Sequence, residues 1–353
     1  MKYTRSDTST RKAWGDRLKA VDPKRVKVSS RGLVNTSFLD NSSALPLVIE
    51  PNFPSVELHV WAKDNLDFID QKLMEYGGVL FRGFALERQE GFERFLSSLG
   101  IELMRYIESA TPRKELGAKI YTSTEFPQDQ VIALHNELTY VATWPMKILF
   151  FCRRPADSQG ETPIADVRRV YARIDREIIE EFAEKGWQLV RNYGNGFGPT
   201  WQDAFHMTDR STLEVYCRDN RIDYEWKDNV RFKTRQVRPA ISVHPKTGEA
   251  VWFNHVAFWH VSSLDPKLRE LFLTEFGEDE LPYNTYYGDG SSIKESVVEK
   301  IREAYSQETV MFQWKQCDLL LLDNMLVAHG RNSFKGSREI IVAMGEPYRP
   351  GSN

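Results

Sequence analysis

The sequence predicts a mainly β protein with helices, in which one β core is completed only near the C-terminus. Three observations carry this. Strand-like, aromatic-rich sequence occupies about 130–152, and a run of short apolar segments recurs at 310–314, 318–322, 326–328 and 338–344. Helical periodicity falls mostly between these two regions. No glycine-rich phosphate loop follows a strand, which argues against a nucleotide-binding α/β fold.

Taken in order, residues 1–31 hold ten Lys/Arg against three Asp, a local charge of +7 on a chain whose formal net charge is −3. This basic arm, drawn over 1–45, reads as a solvated tail, and nothing else supports nucleic-acid binding. Pro46, Pro51 and Pro54 punctuate an extended stretch. A helix is expected from about Asp64 to Tyr76, ended by Gly77-Gly78, then a buried strand at Val79–Phe81 and a helix near Gln89–Leu99. One further helix is expected over Val167–Lys185, with Gly186 as its stop. Asp265-Pro266 reads as an N-cap with proline at the first helical position, opening a helix to about Phe276. Another spans Ile293–Tyr305. The longest apolar runs are far short of a membrane span, and no secretory signal is visible. Three cysteines (152, 217, 317) fit no paired motif, so a reducing cytoplasm is the default.

The chain has seven histidines, so each can be weighed. In Leu134-His135-Asn136-Glu137, imidazole and carboxylate two positions apart along a strand would share a face. His329 follows an apolar strand, an Asp323-Asn324 corner and a return strand, and is itself followed by Gly330. If these strands meet, His135, Glu137 and His329 form a two-histidine, one-carboxylate facial triad, which suits iron(II) and leaves three positions open. A 2-oxo acid would chelate through two of them and dioxygen would take the third. Arg338, opening a strand, can present its planar fork to a distal carboxylate, and Thr162 can add a hydroxyl. Arg331 is either a second anion contact or a structural residue. His244, His255 and His260 lack zinc-site spacing and read as structural or substrate-lining, and Trp252, Phe253, Phe258 and Trp259 as core.

Over roughly residues 75–348 the chain resembles the taurine dioxygenase/clavaminate synthase-like iron(II)/2-oxoglutarate oxygenases. The matching features are His135-x-Glu137, a Gly160-x-Thr162 step 27 residues on, Asp323 six residues before His329, and Arg338 on the next strand. Gly78-Val-Leu-Phe-Arg82-Gly83-Phe84 looks like the family's early strand. Within that group His135–Tyr140, Trp144-Pro145, Arg235–Pro239 and Val251–His255 are similar to the syringomycin aspartyl hydroxylase-like subgroup. The resemblance implies a double-stranded β-helix (jelly roll, cupin-like) core in one domain, 46–353, with an insertion at about 167–308 supplying lid and substrate pocket. It implies Fe(II), 2-oxoglutarate and O2 as cofactor and co-substrates, with Arg338 and Thr162 holding 2-oxoglutarate. It also implies a small-molecule substrate, an amino acid free or tethered to an acyl or peptidyl carrier protein, in specialised metabolite biosynthesis. Hydroxylation is the leading outcome, with desaturation or cyclisation open. Glu137 fills the position a halogenase leaves to chloride. Val342 stands where taurine dioxygenase has its sulfonate-binding arginine, so taurine itself is not expected. The other classes are a metal-free jelly-roll binding protein and a zinc hydrolase. The latter leaves Arg338 and Thr162 without a role.

Overall fold

The computed structural model describes residues 30–40, 43–86, 88–109, 113–123 and 126–351. An eight-stranded sheet runs in the order 34–38, 47–51, 78–81, 319–323, 144–154, 339–348, 120–122, 115–117. A four-stranded sheet runs in the order 309–310, 164–166, 327–331, 132–135. Together they are the two walls of a jelly roll.

Period-2 alternation shows how the large sheet serves two layers. In the strand Trp144–Arg154, Ile148, Phe150 and Cys152 enter one apolar cluster and Leu149 and Phe151 the other. Leu320 and Leu322 likewise face one way, Leu319 and Leu321 the other. Positions 148–152 and 319–322 are all apolar because both faces are covered there. The outer face packs on the helices Leu58–Lys63, Leu66–Tyr76 and Arg88–Leu99. In the last, Phe92, Phe95, Leu96 and Leu99 are buried at i, i+3, i+4 and i+7, and Phe92 stacks on Phe151 at 5.4 Å. The inner face looks at the small sheet, where the Phe150 ring lies 5.0 Å from that of His329.

Residues 167–308 leave the core after the strand Ile164–Asp166 and return at Thr309–Val310, which pairs with it antiparallel. Between these points stands a separate antiparallel sheet, in the order 223–226, 232–238, 187–193, 283–287. A satellite cluster around Tyr193, Trp201, Phe205 and Phe232 supports it.

Several local expectations change. The helix expected over Val167–Lys185 is two, Val167–Arg173 and Arg176–Lys185. Ile174 turns extended (ψ 136°) and its side chain is buried, while Asp175 meets Lys300 at 2.5 Å. The second helix starts afresh at Asp175, whose carbonyl accepts from the backbone of Ile178 and Ile179. Of the segment Val310–Trp314 only Val310 lies in a strand, the two-residue Thr309–Val310. Another helix, Leu58–Lys63, precedes Leu66–Tyr76. Asp265 does cap Pro266–Phe276, accepting from the backbone of Lys267 and Leu268. The strand Val34–Phe38 pairs with Leu47–Pro51, so the expected arm boundary at residue 45 falls behind an element of the main sheet. The remainder of the basic arm, up to residue 29, lies outside the described residues. No helix among the described residues is long and apolar enough to cross a membrane.

Candidate metal centre

Register brings the two histidines together. His329 is the direct antiparallel partner of His135, and the ladder slips between His329 and Arg331. Gly330 permits this approach, since a Cβ there would sit 2.6 Å from the Ile132 carbonyl oxygen. The imidazole rings stand 4.6 Å apart.

Glu137 arrives differently from expectation. The strand ends at His135, and Glu137 begins a turn rather than sharing a strand face. Leu138, wholly buried, has φ 58°, a left-handed conformation unfavourable for a branched side chain and held by the packing around it. The turn is clasped by Asn324. Its Oδ1 accepts the Glu137 backbone N–H at 2.7 Å, and its Nδ2 donates to the carbonyls of Glu137 and Pro145, both at 2.9 Å. Asn136 donates back to the Asn324 carbonyl at 2.7 Å. Asp323 accepts from the backbone of Met325 and Leu326, closing the corner that starts the His329 strand. The Asp-Asn step thus ties the two halves of the centre together. The sequence signals the step, not the clasp.

Ligand atoms of His135, Glu137 and His329 lie within 4.8 Å of one another. His135 Nδ1 donates to the Ala133 carbonyl at 2.9 Å, which leaves Nε2 as the lone-pair nitrogen. His329 Nε2 is 3.9 Å from Glu137 Oε2. Burial lowers the pKa of His135 and holds that of His329 well below the usual range, so both imidazoles are neutral donors. Two neutral nitrogens and one carboxylate fit a divalent transition metal.

Beside the triad, the strand residue Arg338 expected for anion binding lies one position before Glu339–Tyr348. Its Nε donates to the Gly160 carbonyl at 2.9 Å and its Nη2 to Thr162 Oγ1 at 3.3 Å. Burial, then the neighbouring Arg331, pushes its pKa down to about 10. Among the described residues it has no carboxylate partner. Thr162 Oγ1 also accepts from Trp314 Nε1 at 3.0 Å. With two donors already aimed at that oxygen, its own hydrogen is free to be donated. Arg331 borders the same narrow cleft, but donates to the carbonyls of Phe126, Pro127 and Gln130. Its guanidinium is thereby spent largely on holding the 126–130 loop.

On the other side of the triad opens a cavity of about 530 Å³, walled by Tyr106, Phe126, Tyr140, Phe258, Trp259 and Tyr283. Three of those six residues come from the 167–308 excursion. His255 also borders it, its ring 5.5 Å from His135 and its Nδ1 2.5 Å from Thr139 Oγ1. His244 is buried against Asp323 at 3.1 Å, and His260 bonds Ser262 at 2.8 Å, both away from the triad. Trp252 and Phe253 are core, whereas Phe258 and Trp259 face the cavity. One residue at the centre carries no sequence signal. Arg113, an isolated arginine outside any periodic segment, places Nη2 2.7 Å from Glu137 Oε2.

Residues 41–344 match the family described as taurine catabolism dioxygenase TauD, TfdA family. The chain is 39% identical over 284 residues to the dapdiamide synthesis protein DdaC of Enterobacter agglomerans, covering 80% of this chain and 86% of that protein. It is 28% identical over 325 residues to a clavaminate synthase-like protein of Arabidopsis thaliana, covering 86% and 94%. Among solved structures, PvcB from Pseudomonas aeruginosa superposes with a TM-score of 0.55 at 15% identity, over 90% of this chain and 94% of PvcB, a likeness of fold. The chain belongs to the TauD/TfdA family and is an iron(II)/2-oxoglutarate-dependent oxygenase.

Proposed function

We propose that the chain hydroxylates an unactivated C–H bond of an amino acid or amino-acid-derived small molecule, in the making of a specialised metabolite. The supporting observation is a three-ligand centre set between two unlike compartments. One is narrow and holds Arg338 and Thr162, and the other is about 530 Å³ and rich in aromatic side chains. A relative named for dapdiamide synthesis agrees with that setting. Iron(II) held by His135, Glu137 and His329 would supply the oxidising chemistry, coupling 2-oxoglutarate decarboxylation to succinate and CO2 with oxygen insertion.

The protein's own residues then have distinct tasks. His135 and His329 give neutral nitrogens, and Glu137 a carboxylate that leaves no protein-vacated position for a halide. Arg338 and the Thr162 hydroxyl hold the carboxylate of 2-oxoglutarate farther from the metal. The aromatic wall gives the reacting side an apolar surface on which the substrate's carbon skeleton can pack. A substrate tethered to a carrier protein, and desaturation or cyclisation, remain variants of the same chemistry.

The test is a succinate-release screen of free amino acids against carrier-tethered ones. Glu137→Ala is expected to abolish substrate-dependent succinate formation, and His329→Ala to weaken iron binding, because affinity follows ligand number and geometry. Full turnover by both variants would sink the assignment.

A further inference from the structure

We infer that Arg113 is a carboxylate-binding residue on the substrate side of the centre, so that the molecule to be oxidised presents a free carboxylate beside the metal. This rests on the oxygenase reading and deepens it. The Arg113 side chain is only 5% exposed. One of its nitrogens, Nη2, meets Glu137, and its guanidinium lies 4.4 Å from the centre of the Tyr106 ring. Its Nε and Nη1 have no hydrogen-bond partner among the described residues. A guanidinium has five N–H donors in one plane. Leaving those on Nε and Nη1 unmet in a buried site is costly unless a ligand takes them.

Position identifies the ligand's side. Arg113 borders both the narrow cleft and the aromatic cavity, and among the described residues it is the sole Lys or Arg lining that cavity. Charge identifies the ligand's sign. A divalent metal with Arg113 and Arg338 brings four positive charges, and Glu137 with the two carboxylates of 2-oxoglutarate brings three negative ones. One positive charge is left in the buried space around the metal, and Arg331 adds to it, while Asp265 lies on the cavity's exposed side and caps the helix Pro266–Phe276. A substrate carboxylate neutralises that excess, whereas an ammonium group near Arg113 would increase it. Nη2, with one N–H on Glu137, has a second that can pair with Nε or with Nη1, and such a parallel pair matches a planar carboxylate. An amino acid esterified to a carrier through this same carboxyl would forfeit the contact.

The carboxylate could come from the substrate or from the metal-proximal end of 2-oxoglutarate, and two binding measurements separate these. Anaerobic Fe(II) protein is titrated with 2-oxoglutarate by its visible charge-transfer band, in wild type, Arg113→Gln and Arg113→Lys. The N-oxalylglycine-blocked proteins are then titrated calorimetrically with amino acids, N-acyl amino acids and short dicarboxylates, each against its carboxamide. The expected result is that 2-oxoglutarate affinity changes less than threefold in the variants. At least one acid should bind wild type tenfold or more tighter than its amide, with that preference lost in Arg113→Gln and partly kept in Arg113→Lys.

Loss of 2-oxoglutarate affinity in Arg113→Gln with the acid preference intact overturns the substrate assignment in favour of the co-substrate. An absence of any acid preference in wild type overturns it outright. A wild-type protein that gives no charge-transfer band defeats the oxygenase reading instead, while the calorimetric comparison still scores Arg113. Thermal unfolding of the variants controls for folding, and Arg113→Lys keeps the charge if Arg113→Gln fails to fold.

Discussion

At the scale of single residues, the centre is built from groups whose binding capacity is deliberately incomplete within the fold. Arg338 is a cation with hydrogen bonds to a carbonyl and a hydroxyl but no carboxylate partner among the described residues. Its lowered pKa, about 10, expresses the same imbalance from burial and the nearby Arg331. A protein selected only for stability would not keep such a charge. Replacing it by glutamine is therefore expected to leave the free protein at least as resistant to heat, while weakening 2-oxoglutarate binding. The loss should be roughly ten- to hundredfold, the value of a hydrogen bond to a charged group. Calorimetric or spectroscopic titration with 2-oxoglutarate, beside a thermal melt of the free protein, checks both halves. Thr162→Val should act in the same direction and more weakly, since it removes one neutral donor from the same carboxylate.

At the scale of elements, the site depends on how closely two strands approach. The antiparallel pairing of His329 with His135 needs the chain at Gly330 to lie against the Ile132 backbone, with no room for a Cβ. Gly330→Ala must push backbone against backbone, and is expected to cost about 1–3 kcal/mol in urea unfolding, as overpacking does. It should also weaken metal binding, because the shift falls on both histidine-bearing strands. An equally destabilised variant remote from the site would lack the second effect. This level was only partly legible in the sequence. His329 and Gly330 were visible as a pair, and apolar content marked the strands near 130–152 and 318–322 without showing which face each residue takes. Glu137 on a turn was not visible, because the clasp by Asn324 joins positions 187 residues apart. The break at Ile174 was hidden by a helical pattern that continues on both sides. Arg113 was invisible for a related reason. Its partner Glu137 is reached through space, and neither periodicity nor a motif marks a lone arginine.

At the scale of the whole molecule, one centre joins the chain's two β halves. The ligand-bearing segments 132–137 and 327–331 are separated by the excursion 167–308, which returns beside its own point of departure at Ile164–Ala165. The order of motifs made that closure legible, since the proposal that His135 and His329 share one metal requires the two halves to meet. The content of the excursion was not legible, because its strands at 187–193, 223–226, 232–238 and 283–287 pair with one another, mostly across long stretches of chain, and not with the core sheets. Closure through a shared ion has a thermodynamic consequence. Ligands on both halves can hold a metal together only when the core is folded, so metal and 2-oxo acid bind the native state and stabilise it by mass action. At about 100 times the dissociation constant the gain is about 2.7 kcal/mol. For a domain of about 300 residues, at ~2.1 cal/mol/K of unfolding entropy per residue, that is a rise in Tm of roughly 4 °C. Mn(II) with N-oxalylglycine under air is a non-reacting probe for the measurement. The rise should grow with the logarithm of ligand concentration, vanish with EDTA, and be nearly absent in His135→Ala. It should persist in part in Arg338→Gln, where metal still binds but the anion is held poorly. A Tm that is the same with and without Mn(II) and N-oxalylglycine would mean that the three side chains do not act as one site.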